Sequence, residues 1–163
     1  SVLIEEAGVS AAGAGQLLAL FAFTGFPAAL IVPLIAARFP RADAAMVLFA
    51  ALLLALGPIG LLVAPETLTW LWVSSLGLGT LLFPLILVSI NLRSRVPSTT
   101  VALSGFAQTL GYVLGASGPV IIGVVHDASG SWMAPLIVWL VPVVLLIPVA
   151  AILARGRVVD DEI

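Results

Sequence analysis

Five long apolar stretches, each sufficient to cross a bilayer, dominate this sequence, and charge occurs only between them and at the chain ends. The charges and the lone histidine fall at Glu5 and Glu6, between Arg38 and Asp43, at Glu66, at Arg93 and Arg95, at His126 and Asp127, and between Arg155 and Glu162. A bilayer-spanning helix needs about 20 apolar residues. The chain is 62% hydrophobic and 9% charged, whereas soluble domains average about 45–50% apolar and about 25% charged residues. A soluble domain of 163 residues leaves most residues in touch with water, so it cannot hide this much apolar surface. Disorder is excluded as well, because it needs low hydrophobicity and high charge. Lipid offers no partners to backbone N–H and C=O groups, so each stretch must be helical. The expected fold is an all-α membrane protein, one transmembrane domain with spans at about residues 13–37, 44–64, 68–92, 99–125 and 133–154 and a tail at 155–163.

The arginines sort by side. Arg38 and Arg41 follow span one, Arg93 and Arg95 follow span three, and Arg155 and Arg157 follow span five. If five helices cross alternately, all three pairs lie on one face, and Glu5, Glu6, Glu66, His126 and Asp127 lie on the other. The positive-inside rule then predicts a cytoplasmic C-terminus and an outside N-terminus. Trp70, Trp72 and Trp132 sit at outer span ends, the headgroup level that tryptophan favours. The first ten residues hold no basic, cleavable leader, so an outside N-terminus predicts at least one span ahead of Ser1 and a fragment of a longer chain.

Several chemistries are absent. There is no cysteine, hence no disulfide or thiolate site. Six arginines, no lysine and a formal charge of −2 give no basic field for nucleic acid. His126 with Asp127 is too sparse for a metal centre. Ser104 and His126 lie on one expected helix, roughly 33 Å apart, far beyond the reach of a nucleophile and its base. The chain is therefore expected to be no enzyme and to hold no cofactor or metal. No carboxylate lies in mid-span, so an intramembrane proton site is not evident. His126 reads as part of an outer loop, with pH sensing as the sharper alternative.

Spans two and five are almost purely apolar, while spans one, three and four carry polar groups: Gln16 and Thr24; Ser74, Ser75, Thr80, Ser89 and Asn91; Ser104, Gln108, Thr109, Tyr112 and Ser117. Polar side chains in a membrane usually face a protein interior or a wet cavity. This sorting predicts three inner and two peripheral helices. On span four, Ser104, Gln108, Gly111, Tyr112, Gly115 and Pro119 share one face at helical spacing. Ser104, Gln108 and Tyr112, with Ser74 and Thr80 of span three, are the candidate lining of a solute pathway. For Gly111 and Gly115, a GxxxG spacing, tight helix packing is the favoured reading. Gln108 could equally bond a neighbouring helix. Pro27 and Pro33 in span one, and Gly77, Gly79 and Pro84 in span three, mark candidate breaks.

The second half of the chain carries more specific motifs. FPL at 83–85, NLRSR at 91–95, LSGFAQTLGY at 103–112, the pair Gly118 and Pro119, and HDASGSW at 126–132 resemble the cyanate/nitroimidazole transporter branch of the major facilitator superfamily. GFPAALIVPLIAARF at 25–39 is similar to that family's eighth helix. The resemblance implies that the five spans are helices eight to twelve of a twelve-helix protein, most of its C-terminal six-helix bundle. It implies secondary active transport of a small polar or anionic solute by alternating access, against an N-terminal half that this chain lacks. It places Gln108 and Tyr112 toward the solute route, and Asn91, Arg93 and Arg95 at the cytoplasmic gate, with topology anchoring as the plainer role for the arginines. The expected partners are the bilayer of a bacterial inner membrane, a small solute and the remaining half. Drug export within the same superfamily, and a non-transporting membrane remnant or scaffold, are the alternatives.

Overall fold

The computed structural model describes residues 2–5, 7–39, 42–94 and 96–155. They form helices and connecting turns, with no strand among the described residues. A single helical turn, α1 (Val2–Glu5), precedes α2 (Ala11–Arg38), α3 (Ala42–Val63), α4 (Thr69–Gly79), α5 (Leu82–Arg93), α6 (Pro97–Ser129) and α7 (Met133–Leu153). Taken together, α4 and α5 make one crossing, so five helices are long and apolar enough to span a membrane. The fold is all-α, as the apolar stretches require.

Local chemistry sets the helix ends. Ser10 caps α2, its Oγ accepting from the Gly13 N–H at 3.1 Å, which satisfies a donor that the first turn leaves unpaired. Asp43 lies in the first turn of α3 and accepts from the Ala44 N–H at 2.9 Å, where the helix dipole favours negative charge. Pro97 opens α6, where a missing N–H costs nothing. Gly130 ends α6 in the left-handed conformation, φ 66°, its N–H donating to the His126 carbonyl at 2.8 Å.

The break expected in span three falls at Thr80 and Leu81, between α4 and α5. Pro84 has no N–H to return to the Thr80 carbonyl, which instead accepts from Phe83 at 3.0 Å. The turn tightens around it, with Thr80 and Leu81 donating three residues back to Gly77 and Leu78, each at 3.1 Å. The prolines inside α2, α3, α6 and α7 leave those helices continuous.

Packing centres on α3, which lies against α4 and α7, while α2 lies against α4 and α5. The core is built from small and branched side chains: Ala28, Val32 and Ala36 of α2, Val47, Ala50 and Leu53 of α3, then Leu81, Leu85 and Ala150. Small residues let membrane helices approach closely, which matters because lipid is as apolar as leucine and gives no hydrophobic drive. The closest approach is α2 on α4. A side chain at Gly77 would collide with Thr24 and the Phe21 carbonyl, and one at Gly25 would meet Thr80 and Gly77.

Burial within the chain does not sort by polarity: apolar span two and polar span three are equally enclosed, while apolar span five is little enclosed. The apolar α3, expected at the periphery, is the most enclosed full-length helix, whereas α6, with its polar stripe, has no buried residue. Polarity reports what a face meets in the whole assembly, and burial here counts only neighbours within these described helices. Gln108 lies on the half-buried side of α6 that faces α5, and Tyr112 beside it is exposed.

Candidate functional site

Helix α6 packs mainly against α7 and α5, and it stands off from α5 enough to leave a cleft. Phe83, Ile86, Leu87 and Ile90 of α5 form one wall, and Ala107, Gln108, Gly111 and Tyr112 of α6 form the other. Its volume is about 220 Å³. The walls follow from helical spacing: Phe83, Leu87 and Ile90 recur every three to four residues, and Gly111 and Tyr112 lie three and four residues after Gln108. Gln108 is half-buried and Tyr112 exposed. The amide brings two donors and an acceptor, and the phenol one donor and an acceptor. Gly111 presents no side chain between them. The lining contains no charged group. Chemically the cleft can hold a small flat solute against apolar and aromatic surface while hydrogen-bonding its polar edge.

The other candidate pathway residues sit elsewhere. Ser104 is half-buried one turn before Gln108 and does not line the cleft. The Ser74 hydroxyl donates to the Trp70 carbonyl at 2.6 Å, and the Thr80 hydroxyl donates to the Gly77 carbonyl at 2.6 Å beside the α2–α4 crossing. Gly111 and Gly115 have no side chain or neighbouring helix within reach of an added Cβ. Trp72, grouped with the interfacial tryptophans by sequence, donates its indole N–H to the Thr67 and Ala64 carbonyls at 2.8 and 3.1 Å, closing the end of α3.

At the arginine-bearing end, Arg93 is committed within the bundle. It forms an ion pair with Asp43 and donates to the Leu153 carbonyl at 3.0 Å. The two side chains are 18% and 10% exposed, so one guanidinium ties the start of α3, the end of α5 and the end of α7. Asn91 is exposed and donates to the Leu87 carbonyl at 2.8 Å. Arg95 lies outside the described residues. Asp43 was the residue that sequence reasoning missed. Its place at the head of an apolar span was visible, but a partner 50 positions away was not. A second cavity of about 310 Å³ lies on the other side of Ile86 and Ile90, almost wholly apolar, with Arg93, Leu103, Leu146 and Leu153 also in its lining.

Among proteins of known name, the chain is 36% identical over 137 residues to a 2-nitroimidazole transporter of Escherichia coli (strain K12), covering 83% of this chain and 34% of the relative. It is 30% identical over 146 residues to an uncharacterized transporter, YycB, of Bacillus subtilis (strain 168), covering 88% and 36%. It is 32% identical over 130 residues to the cyanate transport protein CynX of Escherichia coli (strain K12), covering 78% and 33%. The chain thus spans about a third of the length of these curated relatives. No family model matches it, and no solved structure does. With five membrane-crossing helices and relatives that are named transporters, the chain belongs to the family whose motifs it carries, the cyanate/nitroimidazole transporter branch of the major facilitator superfamily.

Proposed function

We propose that this chain forms part of a secondary transporter for a small polar or anionic solute, cyanate-like or nitroimidazole-like, in a bacterial cytoplasmic membrane. The observation that carries the reading is the cleft between α5 and α6, where Gln108 and Tyr112 offer hydrogen bonds against an apolar wall. The relatives' names supply the solute class: one is named for 2-nitroimidazole and one for cyanate. The chain accounts for about a third of such a protein, so the pathway is completed by helices beyond those described. Transport then proceeds by rocking of this bundle against the other, with the cleft side of α6 turned toward the solute route. On this reading the arginine-bearing ends face the cytoplasm.

The test is uptake of labelled cyanate and 2-nitroimidazole by the complete protein in proteoliposomes. Loss of one hydrogen bond to the solute corresponds to about a three- to tenfold rise in KM. Gln108→Ala and Tyr112→Phe are each expected to show that rise, and Ser74→Ala is expected to behave as the parent. Uptake unchanged in both cleft variants would remove the site. Efflux of lipophilic cations with no uptake of either solute would replace the solute class.

A further inference from the structure

At the end of the bundle remote from the arginines, four residues from three parts of the chain meet. The Trp132 indole N–H donates to the Glu5 carboxylate at 2.7 Å. His126 stacks on Trp132, ring centroids 4.0 Å apart and planes 21° from parallel. Its Nε2 lies 3.8 Å from the same Glu5 oxygen, and its Nδ1 lies 3.2 Å from the Ser131 carbonyl. Beneath this group is an apolar cavity of about 200 Å³, lined among others by Val2, Pro58, Leu61, Ile122, Trp132 and Trp139. Val2 and Glu5 are three positions apart on the single turn of α1, hence on one side of it. That side puts Val2 over the cavity and Glu5 onto Trp132 and His126.

We propose that α1 is a strap whose seating over this cavity is governed by the protonation of His126. Both ring nitrogens face groups that only accept, a carbonyl and a carboxylate. A neutral imidazole carries one N–H and serves one of them; the imidazolium serves both and adds an opposite charge beside Glu5. The indole bond to Glu5 does not titrate, so it is a constant tether and the His126 contact is the switched one. The charged surroundings agree in sign. Glu5 faces the ring from α1, Asp127 follows it on α6, and Glu66 belongs to the α3–α4 connection at the same end. Of the described arginines, Arg38 and Arg93 terminate α2 and α5, and Arg155 follows α7, at the other end. Glu5 has a further contact besides these two. As pH falls through the range in which imidazoles gain a proton, the strap closes over the cavity; as pH rises, it loosens.

The test uses the complete protein in lipid nanodiscs, in a cysteine-free background, with a nitroxide on Ile4→Cys. Ile4 is 44% exposed, so the label reports strap mobility without entering the cavity. Lowering the pH from about 8 to about 5.5 is expected to raise the ratio of immobile to mobile label about two- to fivefold, the range for one exposed ion pair. His126→Gln and Glu5→Gln should each abolish the change, and Asp127→Asn should retain it. A flat response in the parent, or a response that survives either His126→Gln or Glu5→Gln, overturns the proposal.

Discussion

Hydroxyl groups in a membrane helix have a nearby acceptor that a soluble-protein intuition overlooks: the carbonyl one turn back. Thr24, Ser74, Ser75, Thr80 and Ser117 each donate to a carbonyl three or four positions earlier in the sequence. A satisfied hydroxyl carries little polarity to its helix face. Ser74 and Thr80, read together with Gln108 as pathway lining, donate their hydroxyls within their own helix in this way. Amide and phenol groups on longer stems reach away from their own backbone, and Gln108 and Tyr112 do line a cleft. Charge behaves differently again. Removing one partner of a well-enclosed ion pair leaves the other uncompensated, at a cost of about 3–5 kcal/mol. Arg93→Met is expected to lower the melting temperature of the detergent-solubilised protein sharply. Combining it with Asp43→Asn should recover part of the loss. If the double variant instead melts at the sum of two independent losses, the pair contributes nothing specific.

At the level of elements, the five long apolar helices, the break near Pro84 and the all-helical content were legible, because each follows from local chemistry: apolar run length, a missing N–H, the absence of any other way to satisfy backbone in lipid. Where the described helices approach most closely was not legible. The GxxxG spacing of Gly111 and Gly115 is a recognised packing signal, and among the described helices the close approach occurs at Gly25 and Gly77, which share no such motif. Spacing on one helix says nothing about what the facing helix presents. The contrast makes a prediction. Gly77→Ala must push α2 from α4 and is expected to destabilise by about 1–3 kcal/mol. Gly115→Ala meets open space and should fall within about 0.5 kcal/mol of the parent. Thermal unfolding of the two variants in one detergent checks both.

Across the whole molecule, the charge asymmetry is built into the fold. The Arg93 contacts bring the start of α3 and the ends of α5 and α7 to one end, and the Glu5, His126 and Trp132 contacts bring α1 and the α6–α7 turn together at the other. Alternating helix direction made this legible from the sequence; the individual pairings, separated by 50 and 127 positions, were not. The proposed orientation predicts that a membrane-impermeant maleimide added to intact cells labels Glu66→Cys and Asp127→Cys, while the exposed Arg155→Cys reacts only after the cells are opened. Labelling of Arg155→Cys from outside would invert the topology.

Consider, finally, the freedom left to each part. The Arg93 tie links α3, α5 and α7 at one end, and the close Gly25–Gly77 crossing seats α2 on α4. Helix α6 has no buried residue and rests mainly on two neighbours, and its ends lie at Pro97 and at Ser129, beside the α6–α7 turn. A body held at its two ends has one easy coordinate, rotation about the line joining them. Because the cleft is bounded by α5 on the tied side and by α6 on the loosely held side, any rotation of α6 would change its width and the facing of Gln108 together.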